Sequence, residues 1–372
     1  MGSKHMSKLI KTNIQPIATK RETNIELLRL LATCGVVFLH YNWPTGGGAL
    51  IHAEPGSINN WILSWLESCA ICAVDLFMLI SGYFMAVSKK RNLWKVVELI
   101  VQVIIFRMVS YFASAFFDGG LSLNGLLTRF LPLNYFVILY CVVYIVSPYI
   151  VVLFENMDEN NIRRMMLILF VLFSIYPTLV DIVEMITGQP LSVLNSYGRQ
   201  GDSDGYCTIN FMLCWMIGAY IRRRSGSKAV SLKKSIFIYF GITIGILLYM
   251  KALTLQGAEL VRVLAYCNPL IILEAAVLFI SFQKLQIKYY KTINSLAKAG
   301  FTVFLLHAQF FKFLNIAEFA QKNPVLLVLH VIISVCGIYF LCYCVFLFYE
   351  FLMGNVWKVL KDKISLPQIG VD

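Results

Sequence analysis

The chain has 372 residues, of which 59% are hydrophobic and only 14% charged, and it carries a formal net charge of +12. A soluble domain holds about 25% charged residues, so a water-soluble globule is excluded; one polytopic membrane bundle is expected, with no length left for a separate soluble domain. The positive balance invites nucleic acid as a partner, but the cations sit in short loops between apolar runs, as orientation signals do, so no nucleic-acid binding is expected.

Residues 1–20 open with MGSKHM, which reads as an expression remnant, and continue as a cytoplasmic tail. No cleavable signal peptide is expected, and the first apolar run reads as a retained span. Ten apolar segments of spanning length follow, near residues 25–43, 61–87, 93–117, 134–154, 163–184, 207–221, 235–250, 262–281, 298–315 and 324–350. The expected fold class is therefore all-α, a polytopic bundle of about ten transmembrane helices. Its membrane domain spans residues 21–350, with a cytoplasmic tail over 351–372. Lys and Arg test the count. Loops on one side hold 24 of the 32 basic residues and the opposite loops hold six, a bias that an odd number of spans would erase. Both termini are then expected in the cytoplasm.

The first segment, Asn24 to Trp43, carries Arg29 and His40 inside an apolar run. A charge within a span costs roughly 2.5–3.5 kcal/mol on insertion scales, so such groups are candidates for function. Eleven residues at 100° each return to within ~20° of the starting face after a rise of ~16 Å, so Arg29, Thr33, Val36 and His40 form one stripe. A snorkelling arginine and a histidine bonded to a neighbouring helix would give the same pattern without function.

The second segment holds Glu67, Asp75 and Ser81-Gly82-Tyr83. Counted at 1.5 Å per residue from the outer ends, His40 lies ~5 Å deep, Glu67 ~9 Å, and Asp75 and Arg29 both ~21 Å. Depth alone pairs Asp75 with Arg29 and sets Glu67 near the His40 ring. Glu26, three residues before Arg29 on the same helix, is the rival partner. Gly82 suits close helix approach, and Tyr83 suits a ligand bond or an interfacial position. Cys69 and Cys72 form a lone CxxC without the remaining ligands of a zinc site, so no metal is expected and packing accounts for them.

Lys89, Lys90, Arg91 and Lys95 follow directly, suited to donor phosphates or to orientation alone. Two longer outer loops, Pro44 to Asn60 and Asp181 to Tyr206, offer sugar-contacting groups such as Tyr197, Arg199, Asp202, Asp204 and Tyr206, or plain solvated loop. Arg107, Glu98 and Glu274 are intramembrane charges without an assigned role; Asn268-Pro269 before Glu274 predicts a kink. His307, in the ninth segment, is a second polar wall or a packed histidine, and His330 in the last segment reads as packing.

Taken together, these motifs resemble acyltransferase family 3, bacterial integral-membrane enzymes that O-acylate extracytoplasmic glycans. Arg-x10-His opened by Asn24-Ile25-Glu26 carries the resemblance, with VDLFMLISGYF (Val74 to Phe84), FTVFLLH (Phe301 to His307), NYFVILYCVVYIVSPYI and INFMLCWMIGAYIRR. It covers most of residues 21–350. The family pattern Arg-x-x-Arg is altered here to Arg91-Asn92-Leu93-Trp94-Lys95, and lysine does not reproduce a bidentate guanidinium contact.

The resemblance implies no bound cofactor. It implies a co-substrate, acyl-CoA (acetyl-CoA by first expectation), and an acceptor hydroxyl on an extracytoplasmic or lipid-linked glycan, at the bacterial cytoplasmic membrane. In that reaction an imidazole suits removal of the hydroxyl proton, which assigns His40 as general base, Arg29 as donor-side cation and Asp75 as its orienting partner. Glu67, Ser81, Tyr83, Arg91, Lys95 and His307 are the expected substrate-binding set. A transporter or flippase for a lipid-linked glycan would share the spans and the buried charges but not the acyl-CoA chemistry. An inactive membrane sensor is a further alternative, and the unrelated membrane-bound O-acyltransferases fit the motif order poorly.

Overall fold

A computed structural model describes residues 22–132, 134–191, 208–224, 231–255 and 260–371. Nearly all ordered structure is helical. The first helix, α1, spans Thr23–Asn42; α2 (Ile58–Ala70) and α3 (Ala73–Met85) are separated by a turn at Ile71 and Cys72. A short strand β1 (Lys90–Asn92) precedes α4 (Trp94–Asp118), and α5 covers Tyr135–Asn156. Helix α6 (Glu159–Phe170) passes through a π-helical turn into α7 (Tyr176–Thr187). Then come α8 (Thr208–Arg223), α9 (Leu232–Thr254), α10 (Pro269–Gln283), α11 (Lys291–Lys298), α12 (Gly300–Leu306) and α13 (Pro324–Lys363). Strand β2 (Gln368–Gly370) pairs antiparallel with β1, Arg91 opposite Ile369.

Helix starts follow local chemistry. Ser57 accepts a hydrogen bond from Asn60 N, Asn134 from Val137 N, Asp158 from Asn161 N and Ser231 from Lys234 N. Asn268 and Asn323 cap helices whose first residue is proline, which lacks the N–H that would otherwise be orphaned there.

Among the described residues, seven helical stretches are long and apolar enough to cross a membrane, including α2–α3 as one 28-residue unit and α6–α7 as one of 29. The chain is thus a polytopic α-helical membrane bundle. The other three apolar segments differ from the uninterrupted spans expected of them. The sixth and eighth, α8 and α10, have 16 and 15 residues, against about 20 for a straight span. The ninth is broken: α11 and α12 meet at Ala299, and α12 gives way to a 3-10 helix, His307–Phe313. Helix α13 continues without interruption to Lys363.

Helix α1 is the axis of the bundle, touching α2, α3, α10, α11, α12 and α13. Ile25, Leu28, Ala32, Val36 and Leu39, at helical spacing, enter a core shared with α3, α8 and α10. Val37, Phe38 and Tyr41 enter a second core with α12 and α13. Between these two apolar faces runs the stripe with Arg29, Thr33 and His40. Two glycines bind α3 to α8: a Cβ on Gly82 would overlap the carbonyl of Trp215, and one on Gly218 the carbonyl of Leu79. The close approach expected of Gly82 is therefore made, with Gly218 as its reciprocal partner.

Candidate active site

His40 sits in the last turn of α1, and its Nδ1 lies 3.0 Å from the Val36 carbonyl oxygen. His307 repeats the arrangement, with Nδ1 2.9 Å from the Val303 carbonyl. A carbonyl only accepts, so in each neutral ring Nδ1–H donates and Nε2 keeps the lone pair. The two rings stand edge to face, with centroids 4.6 Å apart. His307 is 3% exposed and its Nε2 has no hydrogen-bond partner among the described residues; His40 is half-buried. Two imidazoles with available lone pairs thus meet in an apolar bundle.

One cavity reaches His40, and a second ends at Phe304, whose ring centroid lies 6.4 Å from that of His307. One, of about 590 Å³, is lined by His40, Thr45, Gly46, Gly47, Phe311, Lys312, Asn315 and Glu318, among others. The loop over it is built by glycine: Gly47 N donates to the His40 carbonyl at 2.8 Å, and a Cβ on Gly46 would overlap that same carbonyl. The other cavity, of about 320 Å³, is lined by Arg29, Phe77, Ser81, Lys95, Phe136, Tyr140, Lys298 and Phe304, among others. Two helices connect them. On α1, Arg29 lines one cavity and His40 the other. On α12 and its 3-10 continuation, Gly300, Phe301 and Phe304 line the Arg29 cavity, while Ala308, Phe311 and Lys312 line the His40 cavity. His307 lies between. The 3-10 helix begins at this residue, a departure from α-geometry of the kind that accompanies functional positions.

The charged candidates sort differently from their depths. Arg29 Nη1 bonds Glu26 Oε1 at 2.7 Å, so the Asp75–Arg29 pair is not formed and the rival holds. Asp75 is fully buried and receives Asn210 Nδ2 at 3.2 Å, which ties α3 to α8. Glu67 receives Asn42 Nδ2 at 2.8 Å, and the His40 ring bonds its own helix instead. Ser81 and Lys95 line the Arg29 cavity. Tyr83 does not line it; its hydroxyl accepts from Gln283 Nε2 at 3.0 Å, and the Arg222 guanidinium lies 4.8 Å from its ring centroid.

Arg91 is likewise drawn away from any ligand. Its Nε donates to Ser147 Oγ (2.8 Å), Nη1 to the Ser88 and Lys90 carbonyls (2.7 and 3.0 Å), and Nη2 to the Met85 carbonyl (2.8 Å). The guanidinium is a staple between the end of α3, the strand β1 and α5. Glu274, unassigned from sequence, receives Thr243 Oγ1 at 2.6 Å, and His330 bonds the Tyr41 hydroxyl at 2.8 Å. Tyr197, Arg199, Asp202, Asp204 and Tyr206 lie outside the described residues.

A family model described as an acyltransferase domain, that of acyltransferase family 3, matches residues 22–349. The chain belongs to this family. No curated protein and no solved structure matches it. Membership makes the bundle a membrane acyltransferase in the general sense, and it joins α1, α3, α12 and most of α13 in one domain.

Several cavity residues of this acyltransferase carry no signal in its sequence. Tyr140 and Lys298 join Arg29, Ser81 and Lys95 from α5 and α11. Phe136 and Phe304 line that cavity with ring centroids 4.9 Å apart, and Phe304 adjoins His307. Tyrosine, lysine and phenylalanine at these places look like ordinary span and loop composition; only the packing of α5 and α12 against α1 assembles them.

Proposed function

We propose that the protein is an acyl-CoA-dependent O-acyltransferase whose donor enters the Arg29 cavity and whose glycan acceptor enters the His40 cavity. The observation that carries this reading is that helix α1 lines one cavity with Arg29 and the other with His40, and that His40 meets a second imidazole, His307. In the reaction, the Nε2 lone pair of His40 takes the proton of an acceptor hydroxyl as its oxygen attacks the thioester carbonyl. A C–O bond forms, the C–S bond breaks, and the proton passes to the departing thiolate. Arg29, held by Glu26, supplies positive charge on the donor side, where the carbonyl oxygen or the phosphates develop or bring negative charge. His307 places a second lone pair beside the first, suited to receiving or returning that proton. Lys95 and Lys298 supply further cations at the same cavity. The charge bias of the loops orients the Arg29 cavity toward the cytoplasm, both termini with it, and the His40 cavity toward the opposite face. Acetyl as the acyl group, and a sugar hydroxyl on a glycan or lipid-linked saccharide as the acceptor, are the choices favoured by the family resemblance.

The test is acetyl-CoA binding and slow hydrolysis by detergent-purified protein, wild type beside Arg29→Ala and His40→Ala. Base catalysis contributes about 10²–10⁴-fold, so His40→Ala is expected to keep binding and lose turnover by that order, while Arg29→Ala loses binding. Wild-type protein without affinity for any short acyl-CoA would overturn the proposal.

A further inference from the structure

A cluster of aromatic rings lines the Arg29 cavity and adjoins His307. Phe304 stands one turn before His307, its ring centroid 6.4 Å from the imidazole. Phe136 faces it at 4.9 Å and Phe77 stands 6.5 Å from Phe136. Behind Phe136, at 5.5 Å, is Phe211, which is fully buried in the main core. Phe77, Phe136 and Phe304 all line the Arg29 cavity and are only half-buried, so their free faces form its inner wall. An acyl group carried in on a thioester from Arg29 toward His40 meets this wall last.

The wall is apolar and backed by the core. Phe211 supports Phe136 from behind, and packed interiors resist the displacement of even one methylene. The rings offer no hydrogen-bond partner, so a carboxylate at the end of an acyl chain that travels past Arg29, Lys95 and Lys298 to reach them leaves those cations behind and is desolvated.

We infer that Phe136 and Phe304, backed by Phe77 and Phe211, select the acyl group, admitting a short uncharged acyl chain and stopping longer or carboxylated ones. This rests on the acyltransferase reading above. It names the residues that set the choice of acyl group.

The experiment compares kcat/KM for acetyl-, butyryl- and succinyl-CoA on full-length protein, wild type beside Phe304→Leu, Phe304→Ala and Phe136→Leu. Ratios between two donors on one sample are independent of the fraction of folded enzyme, so partial destabilisation of a variant does not blur them. A pocket's discrimination of one methylene is worth about 10–200-fold. The butyryl-to-acetyl ratio is therefore expected to rise at least about tenfold in a Phe304 variant, with succinyl-CoA remaining a poor donor. An unchanged ratio in all three variants would overturn the inference, as would wild-type protein that uses butyryl- or succinyl-CoA as well as acetyl-CoA. Wild-type protein that turns over none of the three would instead remove the acyltransferase reading beneath it.

Discussion

Arg91 separates a structural role from a ligand-binding one. Sequence pattern sets it at the head of the third span, where a donor-binding cation is expected. The fold surrounds it with four protein oxygens at 2.7–3.0 Å and leaves it 5% exposed. In Arg91→Lys, three donors on one nitrogen replace a planar fork, and no single ammonium position reaches Ser147 on α5 and the Met85 carbonyl at the end of α3 together. Two of the four bonds are then lost. A hydrogen bond to a charged group is worth about 1.5–3 kcal/mol, so the substitution is expected to cost about 3–6 kcal/mol before relaxation, and roughly half that after it. Thermal unfolding in detergent reads the first effect, and the acetyl-CoA KM of the protein that remains folded reads the second. The expected result is a markedly lower melting temperature with a donor KM within about twofold of wild type. Full stability with a donor KM raised tenfold or more would refute the reasoning and return Arg91 to the donor site.

Gly218→Ala adds a methyl where the Leu79 carbonyl already lies, and overpacking of this kind costs about 1–3 kcal/mol; Gly241→Ala, on the exposed face of α9 with open space beside it, is expected to be neutral or to gain up to about 1 kcal/mol from helix propensity. Unfolding midpoints of the two variants check the contrast. Lys95→Gln combined with Lys298→Gln removes two exposed cations from the Arg29 cavity. Its acetyl-CoA KM is expected to exceed that of wild type several-fold at low salt and to converge with it near 1 M salt, where the screening length falls to about 3 Å.

Much of this arrangement is legible in the chain. Periodicity alone places Arg29 and His40 on one stripe of one helix, and that stripe does lie between the two cores with a cavity at each end. The reason for Gly82 is legible as well, since a glycine in a span so often marks close helix contact. What depth bookkeeping cannot supply is azimuth. Asp75 matches Arg29 in distance along the membrane normal, yet its side chain points across α3 to Asn210 on α8, while Glu26 lies one turn from Arg29 on the same helix. Azimuth also separates Glu67, which meets Asn42, from the His40 ring two residues earlier. The pairing of His40 with His307 depends on the break between α12 and the 3-10 helix, and the sequence there reads as one continuous apolar run. Arg91 was misleading for a different reason: a cation in a basic cluster looks solvated until β2, more than 270 residues later, closes over the strand that holds it.

The central claim is that the Arg29 cavity and the His40 cavity open on opposite faces of the membrane. It is tested most directly by labelling Lys298→Cys and Lys312→Cys variants with a membrane-impermeant maleimide in sealed, uniformly oriented vesicles, with and without acetyl-CoA, against the parent protein's own labelling. The account predicts that Lys298→Cys reacts from one face only and is protected by acetyl-CoA, and that Lys312→Cys reacts only from the opposite face and is not protected. Labelling of both from the same face, or protection of Lys312→Cys by acetyl-CoA, would contradict it.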